Sequence, residues 1–273
     1  MKRVFLGVLA SAAIVTSLCL SASAQDFSKS YQLTSGGIVR VMNVSGNIKI
    51  TGGDGNAVVV NAFKTGRDKD KVEVEDLSTG NTVEVRVRYP KCNWSSDDRD
   101  GCNYQADIRF EVTVPNSLNL NLDKITTASG DIEVTGVQAD MHVNTASGDV
   151  TVANSHGAIK ASSASGNVRV RNVAGQVSAN SASGDVEADI VKLEGTDNMS
   201  FNSASGDVRV KMPADLDADV SMSTVSGTVK TDFPIEVKEH KYGPGSSAKG
   251  RVGNGSRQVR LASASGDVSL TRL

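Results

Sequence analysis

The second half of the chain alternates apolar and polar residues in short runs that keep a fixed distance from recurring glycines. Two and four residues after each glycine the side chain is nearly always apolar, as it is five and seven residues before it. Residues two apart lie on the same face of a β-strand. The pattern therefore predicts two short strands per repeat, each with one face turned inward. The residues two after each glycine are Ile132, Val150, Val168, Val186, Val208, Val229 and Val268.

Each glycine belongs to the motif Ser/Thr-Ala-Ser-Gly-Asp-Val, which returns at steps of 18, 18, 18, 22, 21 and 39 residues. The longer steps indicate insertions in the later repeats. We expect glycine where the backbone needs a positive φ, Asp or Asn to cap the turn, and alanine to fit a narrow corner. The predicted turn residues are Gly130, Asp131, Gly148, Asp149, Gly166, Asn167, Gly184, Asp185, Gly206, Asp207, Gly266 and Asp267, with a degenerate copy at Gly227.

A second turn falls in mid-repeat, at Gly136, Gly157 and Gly175. Two strands and two turns in 18 residues match one coil of a flattened β-solenoid, with coils stacked about 4.8 Å apart. A coil cannot bury its own apolar face, and stacking buries it. An antiparallel meander or a propeller blade is the alternative, but the recurring small residues favour coils that turn at the same place. The sequence therefore predicts an all-β fold built as a β-solenoid.

The first half is also β-rich but less regular. Val41–Ile48 resembles a decayed repeat, Val83–Val87 and Ile108–Val114 alternate, and Pro115 ends the last of these runs. Because open coil ends expose unpaired strand edges, we expect this region to form an entry cap or a small sandwich at one end of the solenoid. The predicted organisation is residues 25–122 as an N-terminal β-rich region or cap and residues 123–273 as the solenoid.

Residues 1–24 have the features of a signal peptide. Lys2 and Arg3 precede an apolar run, and Ala22-Ser23-Ala24 provides the small residues that signal peptidase recognises. An uncleaved membrane anchor is the alternative, but the apolar run is short for a span. We expect cleavage after Ala24 and export to the periplasm, the cell surface or the medium, with no transmembrane segment left in the mature chain.

Composition limits the function classes. Lys and Arg number 29 and Asp and Glu 31, so the chain lacks the basic excess of a nucleic-acid-binding protein. Aromatic residues make up only 4 %, which predicts a thin core of Val, Ala and Ile. The mature chain keeps two cysteines, Cys92 and Cys102. In an oxidising compartment they predict a disulfide. A metal site is the alternative, and the absence of a nearby histidine disfavours it.

Three further features are candidates for chemistry. The Asp and Asn residues of the turns would lie along one edge of the stack, where Ca²⁺ is a possible bridging ion. The motif lacks the extra glycines of calcium-binding repeats, so capping of the turns is the preferred interpretation. Hydroxyls recur immediately before the alanine-serine-glycine corner, and we expect them to bond within the stack rather than to present a binding face. They are Thr127, Thr145, Ser163, Ser181 and Ser203.

No catalytic, metal or cofactor site is predicted. The histidines are His142, His156 and His240, and none has a Ser or Cys partner at a catalytic spacing. A glycine-rich insertion covers residues 242–255. It is interpreted as a loop or hairpin, because a phosphate-binding glycine loop requires a following helix.

These motifs resemble the bacterial putative-adhesin domains, a family of unknown function with recurring Ser-Gly-Asp-Val/Ile turns. The resemblance extends from the decayed repeat Val41–Ile48, through Val114-Pro115, to the closing copy Ala262–Val268. It implies a β-solenoid, a cell-envelope or surface setting and no catalytic residues.

The resulting hypothesis is an exported, non-enzymatic envelope protein that works as an adhesin-like binding scaffold. Its partner would be an unidentified envelope or extracellular surface ligand, a protein or a polysaccharide, and no cofactor is required. Two alternatives stay open: a β-helical enzyme acting on envelope polysaccharide, and a structural or stress-linked envelope component.

Overall fold

The computed structural model describes residues 25–90, 104–239 and 244–273. In these ranges the regular elements are β-strands and one short 3-10 helix, Lys69–Lys71, and no helix among them is long and apolar enough to cross a membrane. The predicted signal peptide, both cysteines of the predicted disulfide (Cys92 and Cys102) and His240 lie outside the described residues.

The strands are numbered in chain order. They are β1 Phe27–Tyr31, β2 Ile38–Met42, β3 Ile48–Gly53, β4 Val58–Thr65, β5 Glu73–Asp76, β6 Thr82–Arg88, β7 Asp107–Pro115, β8 Leu120–Ser129, β9 Ile132–Thr135, β10 Ala139–Ser147, β11 Val150–Ala153, β12 Ile159–Ser165, β13 Val168–Ala174, β14 Val177–Ser183, β15 Val186–Lys192, β16 Met199–Ser205, β17 Val208–Met212, β18 Ala218–Ser226, β19 Val229–Thr231, β20 Val237–Glu239, β21 Ser246–Val252, β22 Gln258–Ser265 and β23 Val268–Arg272.

The strands form two long sheets, and each coil contributes one strand to each sheet. Sheet A has the order β1-β4-β7-β3-β9-β11-β13-β15-β17-β23-β19, and sheet B has the order β20-β21-β18-β22-β16-β14-β12-β10-β8-β2-β6-β5. Neighbouring coils pair in parallel and place equivalent residues side by side, as in Val150 beside Val168 and Val168 beside Val186. The predicted β-solenoid is confirmed.

The core lies between the two sheets and consists mainly of valine, alanine and isoleucine. The valines two residues after the turn glycines, such as Val168 and Val186, are fully buried. The largest wholly buried side chains are Phe110 and Phe201. Burying one valine, leucine or phenylalanine side chain contributes about 1.5–3 kcal/mol to the free energy of unfolding. The stack is therefore stabilised by many similar contributions from buried side chains, spread over all the coils.

Glycine is required at the main turn because successive coils approach closely there. Gly166 has φ +153°, and a Cβ added to it would lie 2.0 Å from the carbonyl oxygen of Gly148 in the preceding coil. Only a residue without a side chain fits against that backbone. At the second turn Gly157 and Gly175 are confined in the same way, but the position of Gly136 is open, and Asn154 and Asn172 occupy the left-handed region at the equivalent position with φ 51°. Asn172 Nδ2 donates to Asn154 Oδ1 at 2.6 Å, which links these two turns.

The motif alanine does not fill the inside of a corner, as the sequence had suggested. Ala128, Ala146, Ala164 and Ala182 are all exposed, and Val225, which replaces alanine in the degenerate copy, is 68 % exposed. The backbone turns tightly through the following glycine, which leaves this side chain on the outside. The inside of the corner holds the Ser or Thr that precedes the alanine.

The order of coils at the C-terminal end differs from their order in the sequence. β16 pairs with β22 rather than with β18, and β17 pairs with β23 rather than with β19. β22 and β23 in turn pair with β18 and β19. The last coil of the chain, residues 258–272, is therefore inserted between the coils of residues 199–212 and 218–231.

The N-terminal end shows the same arrangement. The first coil, β2 and β3, pairs with β8 and β9 on one side and with β6 and β7 on the other. The coil formed by β6 and β7 is therefore further out in the stack, although it comes later in the sequence. At the N-terminal end the later strands β6 and β7 cover the first coil. At the C-terminal end the earlier strands β18 and β19 cover the last coil.

Antiparallel strands cover the exposed edges at these ends. β4 and β1 extend sheet A beyond β7, and β5 extends sheet B beyond β6. At the other end, β21 and β20 extend sheet B beyond β18, while sheet A ends in the three-residue strand β19. Strands from both sides of residue 122 share the two sheets, and that position itself lies inside β8.

Candidate binding surface

The hydroxyl ladder is an internal element of the stack. Thr145 is 1 % exposed, and its Oγ1 donates to the carbonyl oxygen of Gly130 at 3.0 Å. The other members are also buried and each donates to the turn glycine of the adjacent coil. The distances are 2.9 Å for Ser163 to Gly148, 2.8 Å for Ser181 to Gly166, 2.8 Å for Ser203 to Gly184, 2.8 Å for Ser263 to Gly206, 2.8 Å for Thr224 to Gly266 and 3.3 Å for Thr127 to Gly46. These hydroxyls link coils and are not available to a ligand.

The turn carboxylates form a second ladder. The Oδ1 atom of each Asp or Asn accepts the backbone N–H of the equivalent residue in the next coil. Asp131 accepts from Asp149 at 2.9 Å, and Asp149 accepts from Asn167 at 2.8 Å. Each side chain thus caps the neighbouring turn rather than its own. The remaining links run from Asn167 to Asp185, Asp185 to Asp207, Asp207 to Asp267 and Asp267 to Thr228 at 2.7–2.9 Å.

Two arginines neutralise the middle of this ladder. Arg169 donates to the second oxygen of Asp149 at 2.5 Å, and Arg209 contacts both Asp185 and Asp207. Burial opposes ionisation of Asp149, but hydrogen bonds from the Asn167 N–H and from Arg169 hold its pKa below the usual value. No group of three or more potential metal ligands occurs among the residues that the structure describes.

The outer face of sheet A is charged and self-neutralising. Its outward side chains meet across adjacent coils, with Lys49 and Glu133 at 3.6 Å, Arg171 and Glu187 at 3.3 Å, and Lys211 and Asp189 at 3.3 Å. Such exposed pairs contribute little stability each. These ion pairs leave the paired charged groups without free partners, and a ligand that bound these groups would have to break the pairs.

The outer face of sheet B has a different chemistry. One row of outward residues runs across eight adjacent strands and contains no charged side chain; it is named the uncharged row. Neighbours in the row lie in register, and Asn202 Nδ2 donates to Asn180 Oδ1 at 2.7 Å. The row consists of Thr126, Asn144, Ser162, Asn180, Asn202, Ala262, Ser223 and Ser247. All of these residues are half-buried or exposed.

A second row runs beside it and is named the mixed row. It begins with His142 and Lys160, continues through two serines and ends among cations. Its members, in register, are His142, Lys160, Ser178, Ser200, Arg260, Ser221 and Lys249. The two rows lie side by side on the outer face of sheet B, so that an uncharged row borders a row that carries cations at both ends.

The mixed row ends in a groove of about 900 Å³ across β22, β18 and β21, named the basic groove. Ser221, Lys249 and Arg260 line it, together with Asp219 and Arg251. Arg251 binds Asp219 through two hydrogen bonds of 2.7 and 3.0 Å. The first of these bonds holds the pKa of Asp219 below its usual value, so this carboxylate stays ionised.

The two described histidines lie in different parts of the stack. His142 is exposed at the start of the mixed row. The His156 Nε2 atom lies 2.6 Å from Glu194 Oε2 at the second turn, and hydrogen bonds from Lys192 and from His156 lower the pKa of Glu194. Within the part of the chain that the structure describes, neither histidine bonds to a Ser or Cys side chain.

Sequence reasoning did not find the basic groove. Lys249 lies in the glycine-rich insertion, which forms the antiparallel strand β21 beside β18. Arg260 reaches the same groove because the last coil is inserted next to β18. The alternation of β18 and β22 indicates which residues point outward, but nothing in the spacing indicates that these three strands are neighbours.

The comparison with protein families gives a direct match. Residues 39–271 match the Toastrack DUF4097 family, so the chain belongs to that family. The resemblance to a bacterial family of unknown function is confirmed. A search of curated proteins finds no match.

Several solved structures match the chain at low sequence identity. A putative cell adhesion protein from Clostridium sporogenes is 9 % identical, with a TM-score of 0.41 over 90 % of this chain and 99 % of that one. A putative adhesin from Bacteroides fragilis is 14 % identical, with a TM-score of 0.35 over 90 % and 96 % of the two chains. A putative lipid binding protein from Parabacteroides distasonis is 12 % identical, with a TM-score of 0.31 over 90 % and 96 %.

Proposed function

We propose that this Toastrack protein is an exported, non-enzymatic binding scaffold of the cell envelope that holds a polysaccharide along the outer face of sheet B. The observation that carries the proposal is the uncharged row, which presents Ser, Thr and Asn side chains in register across adjacent strands. Strands lie about 4.8 Å apart, so hydrogen-bonding groups recur at a short and constant interval.

The chemistry of the row suits a hydroxyl-rich polymer. Serine and threonine hydroxyls donate and accept, and asparagine offers both a donor and an acceptor group. Desolvating these neutral groups costs far less than desolvating charges. Asn180 and Asn202 already bond to each other, which fixes their amides without using all of their donors and acceptors.

The opposite face serves as an internal comparison. On sheet A many of the outward residues are charged and are paired between coils, for example Lys49 with Glu133. A hydroxyl-rich polymer that binds there would have to compete with these ion pairs. Charged residues interrupt the outward rows of sheet A, whereas the uncharged row crosses eight strands of sheet B. This difference favours the uncharged row as the recognition surface.

Export is part of the proposal and is supported by the sequence. Residues 1–24 have the composition of a signal peptide, and the mature chain keeps two cysteines, Cys92 and Cys102, that are expected to pair in an oxidising compartment. Residues 25–122 are proposed to stabilise the end of the stack on which the recognition face is built.

The test is retention of the purified mature chain on insoluble polysaccharide prepared from the envelope of the source bacterium. Ser162→Glu with Asn180→Glu puts two charges in the uncharged row and should reduce retention at least about tenfold, because buried carboxylates would lack partners. The matched control, Thr151→Glu with Thr271→Glu on sheet A, should be retained like the unaltered chain. Urea unfolding verifies that both variants are folded.

Two results would contradict the proposal. Equal retention of both double variants on the polysaccharide would mean that the uncharged row of sheet B does not bind it. Shortening of the polysaccharide by the purified chain would replace the scaffold with the enzyme alternative.

A further inference from the structure

The basic groove places two cations on either side of a serine hydroxyl. Ser221 on β18 is in register with Lys249 of β21 on one side and with Arg260 of β22 on the other. All three side chains are on the outer face and line the same groove. The backbones of Lys249 and Arg260 are two strand spacings apart, about 9.6 Å, which leaves room for one small anion above Ser221.

Neither cation forms an ion pair within the described part of the chain, and Lys249 interacts with Asp219 only at longer range. No carboxylate there lies within 4.0 Å of the Lys249 Nζ or the Arg260 guanidinium, whereas most outward arginines of sheet A have such a partner. Asp219 is the one acidic residue that lines the groove, and Arg251 holds it at 2.7 Å. With that pair counted as neutral, Lys249 and Arg260 leave two positive charges.

Ser223 adds a second hydroxyl to the floor of the groove. It is exposed and lies two residues along β18 from Ser221, on the same side of the sheet. The groove thus combines an ammonium group, a guanidinium group and two hydroxyl donors. A guanidinium binds two oxygens of one anion through parallel N–H donors, and an ammonium acts as a point charge beside it.

We propose that the basic groove binds a phosphoryl group. A phosphomonoester carries a charge of about −1.5 to −2 at neutral pH and has three strong acceptor oxygens, which match two cations and flanking hydroxyls. A carboxylate supplies one charge and two oxygens, and would leave one cation without a partner. The inference deepens the proposed function, because the mixed row leads from the face of sheet B directly into the groove and a phosphorylated polysaccharide would reach both.

The site differs from the phosphate-binding loops that glycine-rich sequences suggest. Here the glycine-rich insertion supplies a strand, β21, and the anion would be held by side chains rather than by backbone N–H groups at a helix start. Binding should therefore depend on the charge of Lys249 and Arg260 and should weaken as salt rises.

The experiment is a phosphorus NMR titration of inorganic phosphate and of glucose 1-phosphate with the mature chain at low ionic strength. Line broadening should appear with the unaltered chain. Combining Lys249→Ala with Arg260→Ala should weaken binding by about tenfold or more, as expected for the loss of two charge-assisted contacts. The control is Lys211→Ala with Arg171→Ala on sheet A, which removes the same charge and should leave phosphate binding unchanged.

A competition series identifies the preferred anion, and vesicles identify the source. Glucuronate should compete at least about tenfold more weakly than glucose 1-phosphate, because it has one charge to offer two cations. Phosphatidylcholine vesicles that contain phosphatidic acid should not retain the chain if the groove binds a sugar phosphate rather than a lipid headgroup. Retention on these vesicles that Lys249→Ala with Arg260→Ala abolishes would keep the phosphoryl site and assign it to lipid headgroups.

The outcomes separate this inference from the proposed function. Absence of phosphate binding, or equal loss in the groove variant and the sheet A variant, would overturn the phosphoryl site even if Ser162→Glu with Asn180→Glu still abolishes retention on polysaccharide. Phosphate binding that depends on Lys249 and Arg260 would sustain the site even if the uncharged row proved irrelevant to retention.

Discussion

Two cysteines introduced by Asn202→Cys and Ala262→Cys should form a disulfide, although 60 positions separate them in the sequence. Asn202 on β16 and Ala262 on β22 are register partners on the outer face of sheet B. The pair exists only because the last coil of the chain is inserted beside the coil of residues 199–212. A stack that followed sequence order would instead place Asn202 beside Ser223 of β18.

The distances make the test decisive. Adjacent strands are about 4.8 Å apart, inside the range of about 4.4–6.8 Å between the Cα atoms of natural disulfides. Asn202 and Ser223 are two spacings apart, about 9.6 Å, which is too far for a disulfide. Closing a loop of about 60 residues stabilises a protein by roughly 4 kcal/mol on the chain-entropy model, so the oxidised variant should also unfold at a higher urea concentration than the reduced one.

The assay uses a background in which Cys92→Ser and Cys102→Ser remove the natural thiols. After mild oxidation, mass spectrometry of proteolytic peptides should find residues 202 and 262 linked, and free thiols should disappear. The matched variant with Asn202→Cys and Ser223→Cys should keep both thiols. Linkage of 202 to 223, with none between 202 and 262, would refute the inserted coil and restore sequence order to the stack.

The remaining predictions concern stability. Val168→Asp should cost several kcal/mol in urea unfolding because it buries an unpaired charge, whereas Thr151→Asp on the outer face of sheet A should change little; equal stability of the two would refute the in-register core. Gly166→Asn should destabilise the protein by more than about 1 kcal/mol, because its Cβ would meet a backbone oxygen at 2.0 Å. Gly136→Asn should leave the free energy of unfolding nearly unchanged, since the space there is open and the next two coils carry asparagine at this position. Similar losses of stability for Gly166→Asn and Gly136→Asn would mean that backbone strain at positive φ, and not contact with the neighbouring coil, requires glycine.

The sequence by itself determined the content of each coil. Residues two apart alternate in and out of a strand whatever its neighbours are, so Val168 and Val186 could be assigned to the core from spacing alone. The positive φ of Gly166 likewise follows from local backbone sterics. The hydroxyl ladder was also foreseen as internal, because a polar side chain at a corner needs a partner and the adjacent coil offers one.

Only the tertiary structure decided which coils are neighbours. Every repeat presents nearly the same valines, glycine and Asp, so each coil can stack on any other. A longer step between two repeats can mean either an inserted loop or a change in the order of the coils, and the spacing does not distinguish the two. The connections decide it: the segment between β19 and β22 folds as β20 and β21 on the outside of β18, and the chain then returns to fill the position beside β16. That return brings Arg260 and Lys249 to either side of Ser221, so the basic groove exists through strand order, a property of the whole stack that no single repeat encodes.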